Sequence, residues 1–521
     1  MEVFAIILAL ACVVPVIVLC CWACHWDGPA PFFNTVRRDR LDHWFLHHCE
    51  KITMTDARAW LWHRRLGTRS EDLRPYPPIY AFGLASALPC LLGFASFGLT
   101  NRGMRVPFLL MNGAACVGMV LCLQAMMPWW AALTAAAILL LNANQLHYMM
   151  VGVIEHVTTI ALIALITVLL LVPATLLDHP WIIGFAIGVL IWVKQTCMGI
   201  VAVAFVVLSA ALGGWLAGLV AAVACLLGAV LAEALQLLVM ARLGWAGKRL
   251  QNLREAFALF TGRSANKVNS AVIPLKMAKL RIYPYLFRNL AEWLWFTGPD
   301  GVKDHGVTAW VGWAFLSVFS LTGLLCLVIN GVSHPVSALF LALMVIIGAH
   351  GAFSYWLKRS APLFLPILLC QILLLETVAV ALMGQPGWSL VPLAGLLVLQ
   401  VMLHGPLLRN WVRQRRTITK DLADGLTDVV SEETIYAHNY CQRFFWQAPV
   451  RFKAGDDQWY HNQDIIEWLA KERGTYLMTS AYGRDAVLPD GCRAEKLGEW
   501  PSTPAHMSGN DTYTLFRITW V

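Results

Sequence analysis

The chain has 521 residues, of which 58% are hydrophobic and 13% are charged, and its mean hydropathy is +0.62. This composition excludes a soluble globular enzyme, a disordered protein and a coiled coil, and it predicts that most of the chain lies in lipid. The formal net charge is +8. In a membrane protein such a charge fits contact with anionic lipid head groups or phosphates, and we expect no nucleic-acid partner.

The N-terminal half consists of a long apolar run, a polar segment and a series of further apolar runs. The first run, Glu2 to Cys24, lacks a basic start and is long enough to cross a bilayer, so it predicts a retained transmembrane helix. Residues 25–78 are polar and are expected to carry short helices that lie on the membrane. From Ile79 to about Ala241 we predict roughly seven spans. The predicted breaks are at Asn101–Arg105, Pro128–Trp130, Glu155–His156, Asp178–Pro180, Lys194–Gln195 and Gly213–Gly214.

The C-terminal half adds a second polar segment, further spans and a soluble tail. The polar segment runs from Arg242 to about Gly306, and the apolar runs after it bring the prediction to about 11 to 13 spans. After Leu408 the composition is that of a soluble domain. Strands are predicted at Glu433–Asn439, Val450–Ala454, Thr475–Ser480 and Thr512–Thr519, and an amphipathic helix at Asn462–Arg473. The predicted fold is a polytopic all-α transmembrane bundle, residues 1–408, with a small α/β soluble domain, residues 409–521.

Two acidic positions stand out, because an ionisable group in or beside a membrane costs roughly 2.5–3.5 kcal/mol to insert. Asp27 directly follows the first span, where a rigid helix end would hold its carboxylate at the head-group plane as a general base. It is equally read as an ordinary acidic residue outside a helix. Glu155 and His156 interrupt an apolar run, so Glu155 is either functional or neutralised by a neighbouring His or Arg in a structural pair. Glu233 has no partner that is evident from the sequence.

Several cations lie where spans begin or end. Arg74 and Tyr76 belong to the segment Arg-Pro-Tyr-Pro-Pro-Ile-Tyr that ends at Tyr80, whose prolines stiffen the approach to the second span. A guanidinium held there can bind a phosphate through two hydrogen bonds, or it can simply anchor the interface. Lys358 and Arg359 form an adjacent pair between two late spans. They suit either a phosphate or diphosphate group or ordinary positive-inside anchoring.

Taken in order, these segments resemble the bacterial GT-C glycosyltransferases of the protein-mannosyltransferase and aminoarabinose-transferase type. The resemblance covers nearly the whole chain. It is carried by the acid after the first span, the Pro-Pro-x-Tyr segment, a glycine-rich helix that leads to Lys194, a late basic segment and an α/β tail. The matched motifs are Phe97-Gly98, Arg105-Val106-Pro107, Gly184-x-x-x-Gly188 with Lys194, and the segment that ends at Pro366.

The resemblance implies transfer of a sugar from a polyprenyl-phosphate (undecaprenyl-phosphate) donor to a glycan, lipid or protein acceptor, with inversion at the anomeric carbon. It implies an inner-membrane enzyme whose active site faces the periplasm. Asp27 would be the general base and Glu155 a second acid that orients the acceptor or a metal ion. Residues that would bind the donor phosphate are Arg74, Tyr76, Tyr80, Lys358 and Arg359, with His156 and Lys194 as further candidates. The sequence carries no cofactor signature and leaves a divalent metal ion open.

Other interpretations stay open at the level of sequence. Gly28 stands where the family commonly has a second acid, so Asp39 or Asp42 is an alternative base. Lys194 is also typical of a cation that snorkels from a helix break. The basic cluster at the start of the tail, from Arg409 to Lys420, indicates a cytoplasmic side by the positive-inside rule, whereas the family places the tail outside. Rival functions are an oligosaccharide ligase or polymerase and a lipid-linked sugar transporter or flippase.

Overall fold

A computed structural model describes most of the predicted bundle and of the tail. The described residues are 2–23, 83–98, 100–150, 154–242, 244, 246, 247, 249–251, 253, 254, 305–353, 361–384, 390–413, 418–430, 433–437, 451–454, 462–479, 488, 490–501 and 512–521. These residues form fifteen α-helices and a five-stranded sheet.

The first half of the described chain is almost entirely helical, and its helices begin and end close to the breaks predicted from sequence. The helices are α1 (Glu2–Ala23), α2 (Leu88–Phe97), α3 (Asn101–Met126), α4 (Trp129–Leu140), α5 (Ala143–Met150), α6 (His156–Leu171), α7 (Ala174–Asp178), α8 (Pro180–Val189) and α9 (Gln195–Arg242). A single 3-10 turn, Leu190–Trp192, joins α8 to the segment before α9.

Helix α9 is a hairpin of two helical arms. Gly214 has φ 81° and ψ 178°, a backbone conformation that only glycine adopts readily, and it divides the element at the predicted Gly213–Gly214 break. The arms lie against each other, since a Cβ atom added at Gly218 would be 2.8 Å from the Cβ atom of Ala210. Residues 195–213 therefore form a first arm and residues 215–242 a second arm that returns beside it.

Contacts between the helices show which ends lie together. Phe108 of α3 contacts His156 of α6, and further along the sulfur of Cys122 is 3.6 Å from the hydroxyl of Thr167, so these two helices run parallel. Cys21 at the end of α1 lies within electrostatic reach of Arg102 at the start of α3. Helix α1 therefore ends where α3 and α6 begin. We call this region, at which Ala23, Asn101, His156 and Gln195 lie, the Glu155 end of the bundle.

The second half of the bundle packs on the first. Its helices are α10 (His305–Asn330), α11 (Pro335–Phe353), α12 (Ala361–Met383) and α13 (Leu390–Arg413). Helices α10 and α11 are antiparallel neighbours, with the Phe319 and Phe340 ring centroids 5.3 Å apart. A continuous buried cluster joins α12 to α3, α4 and α6, and it includes Leu123, Ile163 and Leu369.

The apolar helices have the length and composition of membrane helices. Among the described residues, four helices are long and apolar enough to cross a bilayer: Val3–Trp22, Asn101–Met126, Gln195–Arg242 and Leu363–Met383. These four helices have the length and composition expected in a membrane protein. Several runs that sequence predicted as spans form helices shorter than a crossing, among them α2 and α8, which have 10 residues each and would rise only about 15 Å.

The tail contains a mixed five-stranded sheet with the strand order β2-β1-β3-β5-β4. The strands are β1 (Thr434–Ala437), β2 (Arg451–Ala454), β3 (Tyr476–Thr479), β4 (Cys492–Pro501) and β5 (Thr512–Trp520), and the helices are α14 (Ile418–Val429) and α15 (Asn462–Glu472). Strands β1, β2 and β3 are parallel, and β5 is antiparallel to β3 and β4. The sheet is covered by apolar residues of both helices, including Leu426 and Leu469. The predicted α/β character of the tail is confirmed, although β4 was not predicted.

Candidate functional site

A buried ion pair lies at the Glu155 end of the bundle. Lys194 Nζ donates to Glu155 Oε1, and the lysine and glutamate side chains are only 6% and 12% exposed. Glu155 immediately precedes α6, and Lys194 immediately precedes α9. The two charges, 39 residues apart in the chain, thus meet because two helices begin side by side.

Helix dipoles explain why this pair has its particular arrangement. The backbone carbonyl of Lys194 accepts the first hydrogen bond of α9, from the amide of Met198 at 3.2 Å, so the ammonium lies at the positive end of a helix. That position is unfavourable for a cation and favourable for a carboxylate. Glu155 at the start of α6 supplies the carboxylate, and it therefore offsets both the lysine charge and the two helix ends.

Aromatic and polar side chains surround the pair. The ring of His156 is fully buried, 4.3 Å from the ring centroid of Tyr148 and 5.7 Å from that of Phe108. Cys197, also buried, lies within electrostatic reach of both charges. His156 is thus packed between aromatic rings from α5 and α3. The structure brings together three of the predicted site residues, Glu155, His156 and Lys194.

The glycines of the Gly184-x-x-x-Gly188 motif position the segment that carries Lys194. A Cβ atom added at Gly184 would be 2.5 Å from Ala224, and one at Gly188 would be 2.3 Å from the backbone nitrogen of Ala229. Helix α8 therefore lies directly on the backbone of the second arm of α9, as small residues allow in membrane helix pairs. Gly188 is six residues before Lys194 in the chain. Its close contact with α9 therefore fixes the position of the 3-10 turn that follows α8 and leads to Lys194.

Two other motifs of the resemblance lie at the end of α2 and in the first turns of α3. Gly98 follows Phe97 with φ 72° and ends α2, its amide donating to the Phe94 carbonyl at 2.9 Å. Arg105 is buried in the first turns of α3, three residues before Phe108, which contacts His156. These motif residues lie on the elements that surround the Glu155 end.

The other predicted site residues lie outside the described part of the chain. They are Asp27, Arg74, Tyr76, Tyr80, Lys358 and Arg359. The described residues stop at Ala23 and resume at Gly83, and both of these residues lie at the Glu155 end. Within the described residues, no group of three or more His, Cys, Asp or Glu side chains is placed to hold a metal ion.

The partners of Glu155 and Glu233 could not be identified from the sequence. The sequence suggested a neighbouring His or Arg for Glu155 and a snorkelling role for Lys194, but Lys194 is buried and is itself the partner. Glu233 has a partner as well, because Arg249 forms two hydrogen bonds with its carboxylate. The sequence did hold one signal for these partners. A lone acid within an apolar run requires a cation from elsewhere in the chain.

Comparisons with known proteins give no family match, but they do give structural likenesses. No protein-family model and no curated protein matches the chain. The chain is similar to the archaeal oligosaccharyltransferase AglB from Archaeoglobus fulgidus, solved in complex with an inhibitory peptide and a dolichol-phosphate. The identity is 11% over 91% of this chain and 69% of that chain, with a TM-score of 0.41.

The second similar structure is ArnT from Cupriavidus metallidurans bound to undecaprenyl phosphate. The identity is 13% over 98% of this chain and 97% of that chain, with a TM-score of 0.39.

Proposed function

We propose that the protein is an integral membrane glycosyltransferase that takes its sugar from a polyprenyl-phosphate donor. One observation carries this function: Glu155 and Lys194 form a buried ion pair at the same end of the bundle where the chain passes into and out of residues 24–82. That segment holds Asp27 and the Arg74–Tyr80 element. Ala23 and Gly83, which border that segment, lie at this end, and this supports assigning Asp27 and the Arg74–Tyr80 element to the same site as Glu155 and Lys194.

The reaction assigned to this end is an inverting sugar transfer. Asp27 removes the proton from an acceptor hydroxyl as its oxygen attacks the anomeric carbon, and the bond from that carbon to the phosphate oxygen breaks. The bonding electrons leave with the polyprenyl phosphate. Arg74, Tyr76 and Tyr80, with Lys358 and Arg359, stabilise the charge of the departing phosphate. The acceptor is a glycan, a lipid or a protein on the periplasmic face of the inner membrane.

The geometry of the ion pair supports a role for Lys194 beside the donor phosphate. The starts of α6 and α9 both carry partial positive charge, and the lysine adds a full one. An anion is favoured in such surroundings, and Glu155 holds the ammonium in place until one arrives. Glu155 then orients the acceptor. A divalent metal ion, if one takes part, would be held with carboxylates such as Asp27 and Glu155.

The domain organisation proposed for this function follows the change in composition. Residues 1–408 form the catalytic membrane part and residues 409–521 a periplasmic α/β part. Helix α13, which runs from Leu390 to Arg413, continues across this boundary. The tail sheet is thereby joined to the bundle through helical segments.

A transfer assay in nanodiscs tests the function. The full-length protein is incubated with membrane lipids from cells grown on labelled sugars, and loss of label from the lipid-linked pool is followed with the appearance of a new glycosidic bond. We expect Asp27→Asn to lower the rate by about 10²- to 10⁴-fold, the usual contribution of a general base. Asp178→Asn is the matched control, since Asp178 is exposed and lies after α6, at the opposite end from Glu155.

Two results would contradict this assignment. A wild-type rate in Asp27→Asn would transfer the role of base to Asp39 or Asp42, or would favour a ligase that depends on Arg and His. Movement of lipid-linked sugar across sealed vesicles, with no new glycosidic bond, would identify a transporter instead.

A further inference from the structure

A second buried charge pair lies close to the first and is built differently. Arg249 is fully buried, and its Nε and Nη2 atoms donate to Oε1 and Oε2 of Glu233 at 2.7 and 2.8 Å. Gln236 Nε2 also donates to Glu233 Oε2, at 2.8 Å. Both oxygens of this carboxylate therefore accept hydrogen bonds from fixed donors, a geometry that holds a buried pair in one arrangement.

The same cluster reaches the segment that follows the Arg74–Tyr80 element. The Leu84 amide donates to Gln236 Oε1 at 2.9 Å, and Gln236 has no exposed surface. The next amide, that of Ala85, donates to the carbonyl of Trp192 at 2.8 Å. Gly83, with φ 146°, approaches so closely that a Cβ atom there would be 2.2 Å from the same carbonyl oxygen. The chain at residues 83–85 is thus fixed between α9 and the 3-10 turn.

The 3-10 turn is held from its other side as well. Trp192 Nε1 donates to the carbonyl of Ala232 at 2.7 Å, one residue before Glu233. The side chains of Trp192 and Met198 pack on Ala229 and Ala232 in one apolar cluster. Lys194 is the second residue after Trp192, so its backbone inherits the position of the turn.

We propose that Glu233, Gln236 and Arg249 form a positioning clamp, which fixes the chain at Gly83–Ala85 against the turn that leads to Lys194 and thereby holds Lys194 in its place beside the donor phosphate. This role rests on the proposed function, because only that function makes Lys194 a residue that binds the donor phosphate. None of the three clamp residues needs to contact the lipid. They act through the backbone of Leu84 and through the turn at Trp192.

Physical reasoning favours positioning over a purely local structural role. A pair that only neutralised Glu233 would need Arg249 alone, whereas here Gln236 links the pair to a backbone amide 152 residues away in sequence. Small displacements of groups that bind a phosphate lower affinity sharply, because such groups must be held within about 0.5 Å of the productive geometry. The clamp supplies that rigidity with hydrogen bonds of 2.7–2.9 Å.

The test compares two matched substitutions in the full-length protein in nanodiscs. Gln236→Met removes the acceptor of the Leu84 amide and leaves the Glu233–Arg249 pair. Gln400→Met is the control, because Gln400 is equally buried and donates one bond of 2.7 Å to the Ile138 carbonyl, between α13 and α4. Trp192→Phe, which loses the bond to Ala232 and part of the ring packing on Ala229 and Ala232, is a second variant in case Gln236→Met does not fold.

Two quantities are measured: amide hydrogen exchange at residues 84–86 and the Kd for undecaprenyl phosphate, by native mass spectrometry. We expect exchange at these amides to rise at least tenfold in Gln236→Met and the Kd to rise about tenfold, which is 1.4 kcal/mol. We expect neither quantity to change in Gln400→Met.

The outcomes test three claims separately: the clamp itself, its effect on donor affinity, and the proposed function. Unchanged exchange at residues 84–86 in Gln236→Met and in Trp192→Phe overturns the clamp. Faster exchange with an unchanged Kd overturns its effect on the donor and makes it a structural brace. If the wild-type protein does not bind undecaprenyl phosphate, the proposed function fails, and the exchange data alone then uphold or overturn the clamp.

Discussion

Glu155 and Glu233 of the bundle have the same charge and similar exposure but different partners. Both carboxylates are 12% exposed and both pair with a cation that is nearly or fully buried. Glu233 accepts hydrogen bonds from two nitrogens of the Arg249 guanidinium and from the Gln236 amide. Glu155 meets the compact ammonium of Lys194, which lies at the start of another helix. The first arrangement holds the carboxylate in one position through several hydrogen bonds. The second places a point charge on a flexible stem at the start of a helix.

Arginine and lysine suit these two tasks for physical reasons. The planar guanidinium matches both oxygens of a carboxylate at once, so it loses little freedom for each hydrogen bond that it forms. The ammonium is a point charge on a flexible stem and can exchange one anion for another. We therefore expect substitutions in the Glu233 pair to act on stability and, through the clamp, on affinity for the donor, and substitutions in the Glu155 pair to act on the transfer step as well.

The largest effect is expected from breaking the Glu155–Lys194 pair. Glu155→Gln or Lys194→Met leaves one buried charge without its partner, which costs about 3–5 kcal/mol of the free energy of unfolding. The double substitution removes both charges, so it should recover most of that stability. It should not recover transfer, because the ammonium that we propose to face the donor phosphate is absent.

Unfolding in mixed micelles and the nanodisc transfer assay measure the two effects separately. A double variant that transfers sugar at the wild-type rate would reduce the Glu155–Lys194 pair to a structural element. The same result would remove the observation on which the proposed function depends.

The next effect sharpens the contrast between the two cations by exchanging their types. Arg249→Lys keeps the charge but cannot reproduce the two parallel hydrogen bonds, so we expect a loss of about 1.5–3 kcal/mol of stability. Lys194→Arg should change stability less and should lower transfer more, because a broad planar group replaces a point charge. Equal effects of the two variants on both measurements would contradict the division of roles.

The sequence predicted the helix boundaries well because polar and glycine-rich breaks in apolar runs have a local cause. Lys194–Gln195 and Gly213–Gly214 are both boundaries in the structure. The pairing of Glu233 with Arg249 could not be read in the same way, since Arg249 lies beyond the end of α9 in a polar segment. Only the folded chain brings that residue back to the helix.

The tail shows the same limit. Four of its strands were predicted from alternating or β-branched residues, and all four lie in the sheet. Strand β4, Cys492–Pro501, was missed because its sequence is rich in charged residues, with a glycine and a final proline. Such a composition is typical of an edge strand, and β4 is at the edge of the sheet, paired only with β5 in the strand order.

A smaller effect is expected where α8 lies on α9. Gly188→Ala would place a methyl group 2.3 Å from the backbone nitrogen of Ala229, so α8 must move and the turn before Lys194 must move with it. Overpacking of this kind costs about 1–3 kcal/mol. We expect a matching fall in affinity for undecaprenyl phosphate.

Gly199→Ala is the matched control for Gly188→Ala. It lies in the first arm of α9 with no atom within 4 Å of the added Cβ position, so it should stabilise the helix by about 0.5–1 kcal/mol. Equal affinities for undecaprenyl phosphate in the two variants would show that contact between α8 and α9 does not set the position of Lys194.

The smallest effect is expected for a third carboxylate, that of Glu472, which provides a reference for the effects at Glu155 and Glu233. In the tail, the Tyr436 hydroxyl donates to Glu472 Oε2, from β1 to the end of α15, and Glu472 is exposed. Since water can replace this partner, Tyr436→Phe should cost only about 0.5–1.5 kcal/mol, seen as faster amide exchange in β1 and α15 of the full-length protein. Transfer should be unchanged. A loss as large as that in Glu155→Gln would show that burial is not what separates the bundle pairs from an ordinary surface hydrogen bond.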